Sequence, residues 1–276
     1  LEIRAGDLGL LFGGPHCQPF SQIGKQGSLA DERGSLIFEM MRFAEAFRPK
    51  AILIEQVKGL MTAPDQRGRR GGVFDLVLSR LEALNYVPKW RVILAASYGV
   101  PQLRERVFIV ETEKPNGFEF PEPTHGHRDH VDSLFPLKAY VTVGEALKGM
   151  GRPSRKSGEP RADSHIDVTP KRERERMHGV PEGSYLGAQL HLPKEQVMNL
   201  KLKDSTKFRR MARNKPANTL RCGEIFFHPT LGRYLTPREY MRLHGYPDSY
   251  VLKGPIRRRT GTVRDLDHHR QVSNSV

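Results

Sequence analysis

The sequence predicts an α/β fold with a doubly wound, mostly parallel sheet and a small irregular second region. Short apolar runs alternate with amphipathic helical patterns over the first part of the chain. Residues 149–218 are instead basic and rich in proline and glycine. The 276 residues suffice to bury a substantial core. We therefore predict a core formed by residues 1–148 and 219–276, with residues 149–218 as a separate region.

The first strand, helix and second strand follow one another without long interruptions. LGLLF is a short apolar run typical of a buried strand, and helical apolar spacing extends from Asp31 to Phe47, just before Pro49. AILI, residues 51–54, predicts the second strand. A breaker-rich loop, a second amphipathic helix from Val73, and the strands WRVILAA and RVFIVE complete the pattern.

The ends of the first two strands carry the candidate site, because ligands gather at the carboxyl ends of parallel strands. The first strand leads into GGPHCQPFSQIG, which places Cys17 on a glycine- and proline-rich turn. A packed thiol is expected in a strand or helix, so this position suits a nucleophile better. The second strand ends in Glu55, Gln56 and Val57.

Regular patterning weakens after Glu111 and returns near the end of the chain. VTVGEALKG predicts a short helix, and LTPREYMRLHGYPDSY predicts a longer one over residues 235–250. Thr236 is placed to cap that helix, with Pro237 at the first helical position and Glu239 three residues after the cap.

Charge indicates a polyanionic partner. The net charge is +14, and much of the excess lies in basic clusters of the second half. Nucleic acid is the interpretation that this distribution favours. No apolar stretch approaches the length of a membrane span, no signal peptide is expected, and two cysteines favour a reducing compartment. The histidines near His125 lack a second ligand group at a typical spacing, so we expect no metal site.

Several ordered stretches resemble the motifs of cytosine-C5 DNA methyltransferases. They cover almost the whole chain except roughly residues 150–215. In chain order they are GGPHCQPFSQIG, ILIEQVKGL, ASYGVPQLRERVFIV, KPANTLRC, HPTLGRYLTPREYMRLHGYPDSY and RQVSNSV. The second and third correspond to the family's Glu-Asn-Val and Gln-x-Arg-x-Arg segments. The fold that the resemblance implies is a Rossmann-like methyltransferase core with a small target recognition domain.

The resemblance assigns catalytic roles to four residues. Cys17 would add to carbon 6 of cytosine, turning the ring into an enamine that can attack a methyl donor. Glu55 would meet ring nitrogen 3 and the exocyclic amine. Arg106 would hold the cytosine carbonyl oxygen, and Arg104 would assist the catalytic loop or the substrate.

The family also implies a cofactor and a partner. S-adenosylmethionine would be held by Pro15 and by Ser273, Asn274 and Ser275. Double-stranded DNA would be the substrate, with the cytosine flipped out of the helix. Residues 149–218 correspond in position to the target recognition region, where cations such as Arg172 and Arg174 would meet phosphates. We further expect a cytoplasmic, monomeric protein of a prokaryotic restriction–modification system, with a restriction endonuclease as a possible partner.

Three departures from the family pattern stand out. His16 and Gln56 replace the usual proline and asparagine of two motifs that lie side by side in the family, so the changes could compensate each other or weaken catalysis. Ser273-Asn274 stands where glycine-asparagine is usual. The family's N-terminal Phe-x-Gly-x-Gly cofactor turn is absent from this sequence. We expect a missing segment rather than a lost function, and poor cofactor binding by these 276 residues alone.

Two alternatives stay open from the sequence. One is a tRNA cytosine-C5 methyltransferase, because relatives that modify RNA share these motifs. The other is a catalytically silent DNA-binding homologue, suggested by His16, Gln56 and the absent cofactor turn.

Overall fold

A computed structural model of the chain describes residues 3–15, 36–112, 117–127, 137–154, 163–177, 180–188, 193, 208–221, 225–256 and 267–275, without the side chains of Arg172, Glu175 and Arg176. Contacts divide the chain into two compact units. The first unit comprises Leu1–Leu94 and Glu105–Glu122, and the second comprises Ala95–Arg104 and Pro123–Val276.

The elements are named in chain order. The strands are β1 (Leu10–Gly13), β2 (Ala51–Val57), β3 (Val87–Leu94), β4 (Gln102–Leu103), β5 (Glu105–Thr112), β6 (His125–Gly126), β7 (Lys138–Ala139) and β8 (Ala217–Asn218). The α-helices are α1 (Leu36–Phe47), α2 (Gly72–Ala83), α3 (Val143–Ala146), α4 (Lys171–Met177), α5 (Pro237–Leu243) and α6 (His268–Asn274). Two 3-10 helices cover Lys58–Thr62 and Ala95–Tyr98.

The first unit is built on a four-stranded sheet with the order β1-β2-β5-β3. β1 and β2 pair in parallel, whereas β5 pairs antiparallel with both β2 and β3. Three of these four strands therefore run in one direction, which confirms the predicted α/β class and mostly parallel sheet. The direction of β5 has a simple cause. Residues 95–104 are too few for the crossover of about a dozen residues or more that a parallel pair needs.

Two helices cover one face of this sheet. α1 buries Ile37, Met41 and Ala44, whose spacing of four and three residues places them on one face of the helix. They pack in a common core with buried side chains of α2, β2 and β5, namely Val73, Val77, Leu81, Ile52, Ile54, Val107 and Ile109. Each fully buried aliphatic side chain contributes roughly 1.5–3 kcal/mol relative to exposure, so this cluster is the main source of the first unit's stability.

The second unit contains short strand pairs and short helices. β4 pairs with β8 and β6 with β7. One core cluster joins α3, α5 and α6 through Val143, Tyr240, Leu243 and Val272. A second cluster is formed by Met177, Val180, Leu186, Phe227 and Tyr234. Part of the predicted region 149–218 therefore shares a core with residues that follow it, and the boundaries at 149 and 218 stay predictions.

The predicted cap of the last long helix is present. Thr236 accepts a hydrogen bond from the Glu239 backbone nitrogen, the Glu239 carboxylate accepts one from the Thr236 backbone nitrogen, and Pro237 opens α5. The helix ends at Leu243, earlier than the predicted Tyr250. Gly245 takes a φ of 82° and Pro247 follows, so the chain cannot continue as a helix. Among the described residues, no helix is long and apolar enough to cross a membrane.

Candidate active site

The strand ends meet in the first unit as the sequence predicts. The parallel register pairs Gly13 of β1 with Ile54 of β2, so the turn that begins at Gly14 leaves the sheet beside Glu55. His16 and Cys17 lie outside the described residues, and the role of Cys17 stays a prediction.

Glu55 and Arg106 form an ion pair at this edge of the sheet. The antiparallel register places Arg106 opposite Val57, two residues along from Glu55 and on the same face of the sheet. Arg106 Nε lies 2.8 Å from Glu55 Oε1, and each side chain is 15% exposed. The two charged groups are thus fixed in position by the strands and mostly withdrawn from water. This arrangement can present an oriented carboxylate and a guanidinium to one polar ligand.

Gly14 makes room for the Glu55 carboxylate. A Cβ atom at position 14 would lie 2.9 Å from Glu55 Oε2, which is closer than Cβ contacts normally occur. The absence of a side chain on the first residue of the turn therefore allows Glu55 to keep the position in which Arg106 binds it.

Gln56 links the end of β2 to the turn after β1. Its side chain is fully buried. Its amide nitrogen donates a 2.6 Å hydrogen bond to the Pro15 carbonyl, while its amide oxygen accepts one of 3.0 Å from the Val57 backbone nitrogen. Gln56 therefore holds the backbone two residues before Cys17. This contact suits the hypothesis that Gln56 performs the role of the family's asparagine.

Arg104 lies in the second unit, where its side chain contacts the end of α6. Its Nη2 donates to the Ser275 carbonyl at 2.8 Å and approaches the Ser273 carbonyl at 3.5 Å. Its Nη1 approaches the Leu220 carbonyl at 3.5 Å. The structure thus brings Arg104 to the predicted cofactor turn, whereas Glu55 and Arg106 lie in the first unit.

The three predicted cofactor residues of the C-terminal turn differ in availability. Ser273 donates its hydroxyl to the His269 carbonyl, and Ser275 donates its hydroxyl to the Val272 carbonyl. Asn274 is exposed, and its side-chain amide has no hydrogen-bond partner among the described residues. Asn274 is therefore the side chain of this turn that a ligand can engage. Pro15, in the first unit, is half-buried and offers a carbonyl that Gln56 already binds.

Gln102 is a buried polar residue that the sequence reasoning missed. Its amide nitrogen donates to the Leu243 carbonyl at 3.0 Å, and its amide oxygen accepts from the Leu220 backbone nitrogen at 3.1 Å. The signal was available in the motif itself, because Gln102 stands two residues before Arg104 in Gln-x-Arg. Gln102 and Arg104 both bind backbone groups of distant segments within the second unit.

Arg174, in the second unit, binds other groups of the protein. The Arg174 guanidinium lies 2.5 Å from the buried Asp167 carboxylate and donates to the Gly232 carbonyl. Burial would raise the pKa of Asp167, but hydrogen bonds from Thr169 and Arg174 lower it overall. Arg174 therefore has an internal ion pair, and its contact with phosphate stays a prediction. The side chain of Arg172 lies outside the described residues.

Within the described ranges, no group of three histidine, cysteine, aspartate or glutamate residues is arranged to hold a metal ion.

Comparisons with known proteins agree with the motifs. A family model described as C-5 cytosine-specific DNA methylase matches residues 2–276. Type II methyltransferase M.NgoFVII of Neisseria gonorrhoeae is 33% identical over 276 residues, covering 98% of this chain and 66% of that protein. M.PspPI of Psychrobacter sp. (strain TA137), also a Type II methyltransferase, is 34% identical over 287 residues, covering 98% and 61%. The chain spans less than two thirds of the length of these relatives.

A solved structure shares the fold. It is described as a DNA modification methyltransferase encoded within a prophage of E. coli, and its TM-score is 0.61 at 21% identity. The match covers 98% of this chain and 76% of that chain.

Proposed function

The chain belongs to the C-5 cytosine-specific DNA methylase family, and from this membership we propose that the whole protein methylates carbon 5 of cytosine in a specific duplex DNA sequence. The observation that carries this proposal is the Glu55–Arg106 pair at the strand edge, beside the turn that leads to Cys17. The family's chemistry needs a carboxylate and a guanidinium that act on one base.

Each residue of the first unit has a defined task in this proposal. The Cys17 thiolate adds to carbon 6 of the flipped cytosine. Glu55 holds a proton at ring nitrogen 3 and accepts from the exocyclic amine, while Arg106 donates to the carbonyl oxygen. Gln56 keeps the backbone before Cys17 in place. Once carbon 5 carries the methyl group, loss of the carbon-5 proton restores the double bond between carbons 5 and 6 and expels the Cys17 thiolate.

S-adenosylmethionine supplies the electrophilic methyl group when it is bound. The exposed amide of Asn274 fits a polar group of such a cofactor, whereas the hydroxyls of Ser273 and Ser275 are already bonded to the backbone. We assign Asn274 the principal cofactor contact of the C-terminal turn, and Pro15 stays a proposed cofactor residue.

The proposed partner is double-stranded DNA, and the net charge of +14 supports electrostatic binding of its phosphates. A role in restriction–modification beside a restriction endonuclease, a cytoplasmic location and a monomeric state belong to the same proposal. The Type II names of the relatives support the first of these.

Methyl transfer to DNA and to tRNA tests the proposal. With labelled S-adenosylmethionine, the full-length protein is expected to label duplex DNA and not tRNA, and Glu55→Gln is expected to abolish labelling. Glu105→Gln is the matched control, because Glu105 is about half exposed and pairs with Lys58 at 3.1 Å. Labelling of tRNA alone would establish the RNA alternative. DNA binding without labelling of either substrate would establish a silent homologue.

A further inference from the structure

We propose that Arg104 is a positioning residue that fixes the C-terminal turn Ser273–Ser275. Arg104 is buried at 7% exposure, and its guanidinium donates to the backbone carbonyls of Leu220, Ser273 and Ser275. The assignment differs from the role in the catalytic loop or substrate contact that the family resemblance implies. It rests on the proposed function only in the claim that this turn meets the cofactor.

The end of α6 needs such a partner. The last carbonyls of an α-helix have no N–H partner inside the helix. The helix dipole also favours a cation at this end. α6 spans only His268–Asn274, and a helix this short is not stable without tertiary contacts. Asp267 caps its beginning by accepting from the Arg270 backbone nitrogen. Arg104 binds the carbonyls at the opposite end, so both ends are held.

The same contact defines where Asn274 stands. The carbonyls on either side of Asn274 belong to Ser273 and Ser275, and both lie within 3.5 Å of Arg104 Nη2. The hydroxyls of both serines are bonded to α6 carbonyls. Backbone and side-chain contacts therefore fix Ser273 and Ser275. The exposed side-chain amide of Asn274 remains available to a ligand.

Gln102, two residues before Arg104, offers a matched comparison. Gln102 on β4 is buried like Arg104, which directly follows this strand, and both contact Leu220. The other partners of Gln102 are the Leu243 carbonyl and the His244 ring at the end of α5. Loss of Gln102 should loosen the end of α5, and loss of Arg104 should loosen the end of α6. General destabilisation of the second unit would affect both ends alike.

Hydrogen–deuterium exchange on the chain tests the proposal without requiring activity. In Arg104→Ala, amides of residues 270–275 should exchange roughly tenfold faster or more, because hydrogen bonds from a charged group are lost. Amides of residues 240–246 should keep their wild-type rates. Gln102→Ala should show the reverse pattern. Arg104→Lys, which keeps the charge and one donor group, should give an intermediate rate at residues 270–275.

Unchanged exchange at residues 270–275 in Arg104→Ala, or equal acceleration at both helix ends, would overturn the proposal. Should Arg104→Ala fail to fold, Arg104→Lys decides, and wild-type exchange in that variant contradicts the assignment. A second readout is the Kd for S-adenosylhomocysteine, expected to rise roughly tenfold in Arg104→Ala and less in Gln102→Ala. Absence of any cofactor binding by wild-type full-length protein would count against the proposed function, while the exchange rates would still decide the role of Arg104.

Discussion

Glu111 is a carboxyl group on the buried face of β5, which also carries Val107 and Ile109. Its side chain is fully buried, and neither of its oxygens has a hydrogen-bond partner among the described residues. Burial, with a smaller contribution from the negative charge of Glu82, raises the pKa of Glu111 from 4.5 to about 8. The folded protein thus binds this proton more tightly than the unfolded chain, and stability falls as pH rises from 4.5 through 8.

Glu111→Gln should therefore remove a pH-dependent loss of stability. Between about pH 6 and pH 9, the wild-type free energy of unfolding should decrease by on the order of 3 kcal/mol more than that of the variant. Urea unfolding at both pH values measures this difference. Glu105→Gln on the same strand serves as the control, because Glu105 is exposed. Parallel pH profiles for wild type and Glu111→Gln would show that this carboxyl does not titrate as described.

Gly14→Ala tests the geometry beside Glu55. The new methyl group would lie 2.9 Å from Glu55 Oε2, so the carboxylate must move away from the position that Arg106 binds. We expect methyl transfer to fall roughly 10- to 100-fold, as displacements of about 1 Å in a site commonly do. The melting temperature should change little, because a flexible side chain can give way. Gly9→Ala is the control, since its Cβ would meet nothing within 4 Å. Equal activity of both variants contradicts a requirement for the Glu55 position.

Among the elements, α5 shows how much a helix depends on its first turn. Thr236→Ala removes the acceptor for the Glu239 backbone nitrogen and the 2.9 Å contact with the His165 ring. The free energy of unfolding should fall by about 1–2 kcal/mol. Thr236→Ser keeps the hydroxyl and should retain most of the stability. Chemical denaturation of both variants distinguishes capping from loss of volume, since a similar loss in the two would exclude the cap as the cause.

Local signals explain which elements could be predicted. The apolar spacing in α1 and α2, and the Thr-Pro-x-Glu start of α5, act within a few residues and are visible in one sequence. The end of α5 depends on Gly245, whose positive φ was not anticipated. The direction of β5 follows from the length of its connection to β3. Predicting such features requires knowledge of the path of the chain, because the composition of the element alone does not determine them.

The site residues likewise divide into those that the motifs predict and those whose partners depend on the path of the chain. Glu55 and Arg106 were predicted from motifs, and their contact follows from the pairing of β2 with β5. The partners of Arg104 and Gln102 lie more than a hundred residues away along the chain, so no local pattern identifies them. Arg174 belongs to a basic run that was predicted to meet phosphates, and Asp167 binds it. A charge run does not show which of its members have internal partners.

At the scale of the whole molecule, the region 149–218 is the proposed carrier of sequence specificity. Exchange of this region for that of a relative should change the methylated sequence and leave the chemistry in place. Met177, Val180 and Leu186 pack with Phe227 and Tyr234, so these three side chains should be retained in the exchanged region. Sequencing of methylated cytosines gives the result, and an unchanged target sequence would place specificity elsewhere in the protein.

The central claim is that Cys17 is the nucleophile of a cytosine-C5 methyl transfer, supported by the Glu55–Arg106 pair and by the turn that Gln56 holds. Duplex DNA carrying 5-fluorocytosine tests it most directly, because fluorine cannot leave carbon 5 as a proton does and the covalent complex persists. With S-adenosylmethionine present, the full-length wild-type protein and Cys222→Ser should form a complex that survives denaturing electrophoresis. Cys17→Ser should bind the duplex with similar affinity and form none. A covalent complex in Cys17→Ser, or none in the wild type despite tight binding, would contradict the account.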